Sequence, residues 1–250
     1  MEQDEQYLKK RLLDLSRRAD NKNIVTFSNF LNLNELHIFH QISKEFCSSF
    51  QLSGGYCHAE RQMAAFVPDA LYYAWEYPID AVLFRPINAR FAEDLTHRDV
   101  LGALMHLGIK REMLGDIIVK DLEITVFCIN SMTSYMIDNC TKIRHTTVSG
   151  QKTAVSDFSY QPKFIEKESV VSSLRLDTIL ADVCKLTRSA AQKIISEGNA
   201  FINSRKIQQN DFTCQSGDIL SVRHYGKFQI ETSYGVTRKG RIKYRYKIYS

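Results

Sequence analysis

The sequence predicts an α+β chain in three folded parts. A helical N-terminal region spans residues 1–74, a split βαβ unit spans 75–160, and, beyond a linker over 161–172, a helix-and-strand module over 173–250 ends in a basic strand. Three observations predict this. Apolar stripes at helical spacing fill the first part. Apolar runs from Ile79 to Val148 follow the order strand, helix, strand, strand, helix, strand. The positive charge is concentrated in the last third.

In the first part, Tyr7-Leu8, Leu12-Leu13 and Leu15 recur among charges, and Ile24, Phe27, Phe30 and Leu31 make a second stripe. Asn32 or Asn34 can cap a helix whose apolar face is Leu36, Phe39, Ile42 and Phe46. Ser53-Gly54-Gly55 breaks the pattern, and Glu60 to Phe66 leads to Pro68. In the second part, Ile79–Phe84, Ile117–Val119 and Ile124–Ile129 fit strands. Arg98–Leu107 fits a helix, Ser131 can cap a helix running to Cys140, and Ile143–Val148 closes the unit. Residues 161–173 are polar without periodicity, as a linker requires.

In the third part, Leu176, Ile179, Leu180 and Val183 stand at i, i+3, i+4 and i+7. Thr187 can cap a second helix that buries Ala191, Ile194 and Ile195, and Gly198 ends it where a positive φ is needed. Arg188 and Gln192, four residues apart, share an outward face, and Asp177 reads as a helix-start residue. Ala200–Asn203 is a short strand, Ser204-Arg205-Lys206 a basic turn, Gly217-Asp218 the turn before a strand over Ile219–Arg223, and Gly226-Lys227 a closing loop. From Arg241 to Ile248 residues alternate strictly, with Arg241, Lys243, Arg245 and Lys247 on one side and Ile242, Tyr244, Tyr246 and Ile248 on the other. The apolar side should pack on the module's sheet. The basic side either meets RNA backbone or guards an edge strand against pairing.

Lys+Arg against Asp+Glu is 8 to 9 in residues 1–74, 9 to 11 in 75–160 and 16 to 8 in 161–250, within a chain of net charge +5. Charge confined to one third suits a polyanion, because each phosphate neutralised by Lys or Arg releases condensed counterions. A helix beginning Thr187-Arg188-Ser189 adds unpaired N–H groups and a positive dipole end beside a guanidinium, which suits a phosphate.

The rest of the composition excludes more than it assigns. Hydrophobic content of 44% and charged content of 24% are ordinary for a folded protein. No run of about 18 apolar residues occurs, and Met1-Glu2-Gln3-Asp4-Glu5 is the wrong chemistry for a signal peptide, so a cytoplasmic protein with no membrane partner is expected. Cys47, Cys57, Cys128, Cys140, Cys184 and Cys214 show no CxxC spacing, so reduced, mostly buried thiols are expected. His37, His40, Cys57 and His58 lack a second spaced pair, and no metal is expected. Phosphate loop, nucleophile elbow and HExxH spacing are all missing from the sequence.

Arg175-Leu176-Asp177, Thr187-Arg188-Ser189-Ala190-Ala191, Glu197-Gly198, Phe201-Ile202-Asn203 and Gly217-Asp218-Ile219 together resemble the S4 (αL) RNA-binding domain at matching spacing. Gly54-Gly55 with Ala59 to Ala64, Leu95 to Leu104, Leu107 to Glu112 and Gly115-Asp116-Ile117 resemble the bacterial YlmH-like proteins, so the resemblance covers nearly the whole chain. It implies a helical N-terminal region, an RRM-like middle domain and a C-terminal S4 domain. It further implies a non-catalytic, monomeric partner of the large ribosomal subunit, without cofactor. Such proteins contact 23S rRNA and peptidyl-tRNA on obstructed particles and support, with a tailing factor, the C-terminal tailing of stalled chains. Their genes commonly lie in a cell-division cluster.

On this reading Arg175, Thr187, Arg188, Ser189, Gln192, Lys193, Arg205, Lys206, Arg223, Lys227, Arg241, Lys243 and Arg245 are the candidate RNA contacts. His97, Arg98, Lys110 and Arg111 are secondary candidates for RNA or a ribosomal protein; alternatively Thr96 caps the helix, Asp99 favours its dipole and Lys110-Arg111 form a solvated turn. The middle domain departs from an ordinary RRM: between Glu123 and Asn130 Phe127 is the one aromatic, and the stacking pattern is missing. Two other readings stay open. Arg175-Leu176-Asp177 also resembles the catalytic triplet of pseudouridine synthases, although there the S4 domain precedes a large catalytic domain. The near-neutral first 160 residues alternatively fit a scaffold for cell division.

Overall fold

The computed structural model describes residues 2–158, 160–161 and 164–249. Met1, Ser159, Pro162, Lys163 and Ser250 lie outside that description, as do the side chains of Glu2, Asp157 and Thr232. The chain divides into two compact units, Met1–Tyr160 and Gln161–Ser250.

Helix α1 (Glu2–Lys22) buries Leu12, Ser16 and Ala19, a stripe at i, i+4 and i+7. Ser16 sits in this apolar line because its Oγ accepts the amide N–H of Cys47 at 2.8 Å and that of Ser48 at 3.1 Å. Strand β1 (Thr26–Leu31) follows, then α2 (Leu33–Ile42), started by a capping box in which Asn32 Oδ1 accepts from the amides of Asn34 and Glu35 while Glu35 accepts from the Asn32 N–H. Strands β2 (Ser49–Ser53) and β3 (Gln62–Val67) complete a three-stranded antiparallel sheet in the order β1-β3-β2. The first region is therefore two helices packed on a sheet, where the sequence predicted mainly helix. The stripe Ile24–Leu31 and the run Glu60–Phe66 each hold a strand.

The next elements are β4 (Ile79–Pro86), α3 (His97–His106), β5 (Leu114–Lys120), β6 (Glu123–Ile129), α4 (Thr133–Asn139), β7 (Lys142–Ile143) and β8 (Thr146–Thr153). The sheet order β5-β6-β4-β8-β7 puts the two long central strands side by side, as the predicted split βαβ arrangement demands. Thr96 caps α3 in a capping box with Asp99. Helix α4 begins later than predicted: Asn130–Met132 make a 3₁₀ turn, and the first helical residue is Thr133, whose hydroxyl donates to Asp80 at 2.8 Å.

One face of this sheet, through Val82, Phe84, Ile124, Val126, Cys128 and Val148, packs on Val100, Leu104 and Met136 of the helices. The opposite face, through Ile79, Ala81, Ile118 and Phe127, packs on Phe30 of β1 and Met63 of β3. Period two sends alternate residues of each strand to these two cores. Gly55 marks the closeness of the second packing. Its φ is +95°, and a β-carbon there would lie 2.8 Å from the Phe127 ring.

In the second unit, β9 (Phe164–Val171), α5 (Leu176–Val183), α6 (Arg188–Ser196), β10 (Ala200–Ile202), β11 (Arg205–Lys206), β12 (Ile219–Val222), β13 (Gly226–Val236) and β14 (Ile242–Tyr249) make a six-stranded sheet, order β11-β10-β12-β13-β14-β9. Helices α5 and α6 bury Leu176, Ile179, Leu180, Val183, Ala191 and Ile195 against Ala200, Ile202, Leu220, Val222, Phe228, Ile230, Tyr244 and Tyr246. The expected linker is a correction. Eight of its residues form β9, paired in continuous antiparallel register with β14 from Val171 opposite Ile242 to Phe164 opposite Tyr249. Gly226-Lys227 opens β13 and is no loop. The basic turn is narrower than read: Asn203 and Ser204, at φ +49° and +67°, turn the chain between Ile202 and Arg205 as a two-residue hairpin of the primed kind.

No disulfide links the six cysteines; Cys128, Cys140 and Cys214 are buried, whereas Cys47 and Cys57 are exposed. No helix of the described residues is long and apolar enough to cross a membrane.

Candidate nucleic-acid interface

Two arginines and a glutamine of the C-terminal unit converge on a buried acid. Asp177, in the first turn of α5, is fully buried. Its carboxylate accepts from Arg175 Nε at 3.2 Å, Arg188 Nε at 3.0 Å, Arg188 Nη2 at 2.9 Å and Gln192 Nε2 at 3.0 Å. Burial alone would push this carboxyl up, but the hydrogen bonds from Gln192, Arg175 and Arg188 and the Arg188 charge outweigh it and hold the group at about 2, against an ordinary 3.8. The carboxylate thus stays ionised and fixes two guanidiniums at the start of α6. Both keep an outer surface in water, 41% of the Arg175 side chain and 54% of Arg188. Sequence reasoning named all three donors but read Asp177 as a helix start and Arg188 and Gln192 as simply outward. The partners lie 11 and 15 residues apart, beyond the reach of local spacing rules.

Thr187 caps α6 as expected, its hydroxyl accepting the Ala190 amide at 3.2 Å and lying 3.1 Å from the Ser189 hydroxyl. The N–H groups of Arg188 and Ser189 in this exposed first turn have no i−4 partner. Lys193 stands further along α6, 3.9 Å from Glu197. Gly198 ends the helix at φ +72°, and a β-carbon there would collide with Lys206 Cε, so the lysine's stem lies across the helix end. Arg205 and Lys206 are exposed on edge strand β11, and the Arg223 guanidinium lies 5.8 Å from the centre of the Phe201 ring.

The basic strand β14 differs from the reading of an open cationic face. Tyr244 and Tyr246 are buried as predicted, and Tyr244 donates to Asp182 at 2.7 Å. Arg245 is bound to Glu168 at 2.9 Å, and Lys247 to Glu231 at 2.5 Å and Glu166 at 3.5 Å. These glutamates sit on β9 and β13, so two of the strand's three cations are neutralised by its neighbours. Arg241 is exposed at the turn before β14, and Lys243 lies half-buried on it.

Of the four secondary candidates, His97, Arg98 and Lys110 are exposed at the two ends of α3 and its following loop. Arg111 is committed internally. Its Nη1 donates to the carbonyls of Leu114 and Gly115, both at 2.9 Å, and burial with Arg61 alongside lowers it to about 10. Arg61 donates to the carbonyls of Leu114 and Phe30, and Asp116 accepts from the Tyr56 hydroxyl at 2.8 Å and the amides of Glu60 and Arg61 at 2.7 and 3.1 Å. The stretches 54–64 and 107–117 thus form a polar joint between the N-terminal sheet and the split βαβ unit. The RRM-type stacking surface is closed as well. Phe127 is fully buried, with Tyr56 stacked on it at 5.0 Å and Phe158 edge-on at 5.0 Å.

Residues 84–157, within this middle unit, match the family model described as "Putative RNA-binding domain in YlmH". Over 231 residues, 91% of this chain and 88% of the relative, the sequence is 27% identical to the ribosome-associated protein quality control protein P2 of Bacillus subtilis (strain 168). The chain is YlmH-like. A solved structure of the cell division protein ylmH from Streptococcus pneumoniae superposes with a TM-score of 0.51 at 20% identity, covering 62% of this chain and 93% of that one, which shows a shared fold. In this YlmH-like chain, the segment matching the RNA-binding family model has its sheet covered on both faces. Its loops and helix ends stay accessible, and His97, Arg98 and Lys110 are exposed there.

Proposed function

We propose that this protein is a non-catalytic RNA-binding factor of the large ribosomal subunit, acting in the cytoplasm on obstructed particles. It contacts 23S rRNA and peptidyl-tRNA through its S4-type C-terminal unit and supports tailing of the stalled chain by a partner factor. One observation carries the reading: a sealed carboxylate holds two half-exposed guanidiniums beside the capped N-terminus of α6, in the unit with 16 cationic against 8 anionic residues. The name of the Bacillus subtilis relative, a ribosome-associated quality control protein, supports the assignment. Asp177 also speaks against the pseudouridine synthase reading. A nucleophilic carboxylate needs access to its base, and this one is buried and saturated with donors.

The test is co-sedimentation with 50S particles across a salt series. If about six phosphates are contacted, affinity should fall by about a thousandfold or more between roughly 50 and 200 mM salt. Arg188→Glu, and separately Arg205→Glu with Lys206→Glu, which leave the Asp177 cluster intact, should each lower association at least about tenfold. Binding that ignores salt, or that both variants leave unchanged, would overturn the proposal and favour a packing-driven scaffold.

A further inference from the structure

The helices cover one face of the six-stranded sheet and leave the other open. Across that outer face runs a row of cross-strand neighbours, one from each strand. Lys206 faces Phe201, Phe201 faces Ser221, Ser221 faces Lys227, and Tyr249 faces Phe164. Phe228 faces Ile248, so Lys227 stands level with Tyr249, its Nζ 4.9 Å from the ring centre. The carboxylates of this face, Glu166, Glu168 and Glu231, pair with Lys247 and Arg245. The row's rings also carry cations: Arg223 lies over Phe201 at 5.8 Å and Lys247 over Phe164 at 5.7 Å. A fourth pair, Arg245 over Tyr234 at 4.8 Å, lies on the same face. Such pairs occur about once per 70–80 residues, so four on one face of one unit is a concentration that folding alone does not demand.

We infer that this outer face is a second RNA site, one that stacks unpaired bases of a single strand on Phe201 and Tyr249 while Arg223 and Lys227, beside those rings, meet its backbone. The chemistry of single-strand recognition is a cationic track with aromatic platforms, since every base has a π-face and only unpaired bases expose it. Three strand spacings separate Phe201 from Tyr249, about 14 Å, which an extended strand spans with one or more nucleotides between its stacked bases. The duplex-compatible edge at α6, with its fixed guanidiniums and helix start, offers no exposed ring among its donors. The two surfaces therefore divide the work: the α6 edge takes phosphates of structured RNA, and the sheet takes looped-out or terminal nucleotides. This deepens the proposed function and rests on its premise that the C-terminal unit meets RNA.

The test uses the full chain, a labelled oligouridine of about twelve nucleotides, within the range such platforms cover, a blunt RNA duplex of the same length and a polyglutamate peptide. The chain should bind the oligouridine. Phe201→Leu with Tyr249→Leu, which keeps apolar volume, should weaken that binding about tenfold and leave duplex binding and 50S co-sedimentation within about twofold. Phe201→Trp with Tyr249→Trp should restore it. Retained single-strand affinity in the Leu pair, equal losses on both RNAs, or a preference for polyglutamate would each overturn the platform. A chain that binds 50S particles but no oligouridine refutes the platform alone, whereas a chain that binds neither RNA form nor the subunit refutes the underlying reading as well.

Discussion

Asp177→Asn is the most direct probe of how the C-terminal unit is put together. The change keeps the shape and removes the charge, and it turns an NH2 toward a site lined by donors from Arg175, Arg188 and Gln192. The carboxyl ordinarily titrates at 3.8 and is held at about 2 in the fold. A difference of about 1.8 units corresponds to ~2.5 kcal/mol of stabilisation. Because Arg175 and Arg188 are 41% and 54% exposed, solvent screens part of this, and the expected loss is ~2 kcal/mol. In a unit of this size that lowers the melting midpoint by roughly 8–16 °C. The readout is amide exchange or tyrosine ellipticity of the C-terminal unit during thermal unfolding of the full chain. The sign with pH is fixed. The folded value lies below the unfolded one, so the contribution is complete above about pH 5 and is lost as pH falls through 3.8 toward 2. The Asn variant should flatten that limb of the stability curve. A midpoint within about 0.5 kcal/mol of wild type, or an unchanged acid limb, refutes the idea that Asp177 organises the cluster.

Three further outcomes are expected. Gly198→Ala should destabilise the C-terminal unit by at least ~1 kcal/mol in urea titration, since it strains a positive φ and displaces Lys206 from the helix end. Asp116→Ala removes the acceptor of three donors in the polar joint and should cost the first unit ~3 kcal/mol or more, visible as loss of near-ultraviolet ellipticity from Tyr56 at lower denaturant. Arg245→Ala breaks an exposed pair with Glu168 and should change stability by less than ~1 kcal/mol and subunit affinity by less than about twofold. A large loss of affinity in that variant would mean that its guanidinium is not neutralised in the complex.

The middle unit was legible because its strands and helices are long enough to show their periods and its order of elements admits few arrangements. The N-terminal sheet was hidden by two local effects. Strand β1 shifts register between Phe27 and Phe30, so its apolar residues fall at i, i+3 and i+4 and imitate a helix. Strand β3 is covered on both faces, with Met63 and Phe66 in different cores, so it lacks alternation. Strand β9 is a mostly exposed edge strand whose four polar residues sit between two apolar pairs without alternation, and its pairing is set by a partner 70 or more residues away. At the candidate site the cations were readable from their positions at element ends. Their counter-ions were not: Asp177, Glu166, Glu168 and Glu231 meet them only through the fold.

The doubly covered sheet of the first unit bears on how this protein can be taken apart. A fragment cut to the family-model boundaries, 84–157, would leave behind β1 and β3 along with Ile79 and Ala81, and would present Ile118 and Phe127 bare to solvent. Such a piece would stick to hydrophobic partners and to itself, and pull-downs made with it would report that stickiness as recognition. The smallest honest bait from this half of the molecule begins with helix α1.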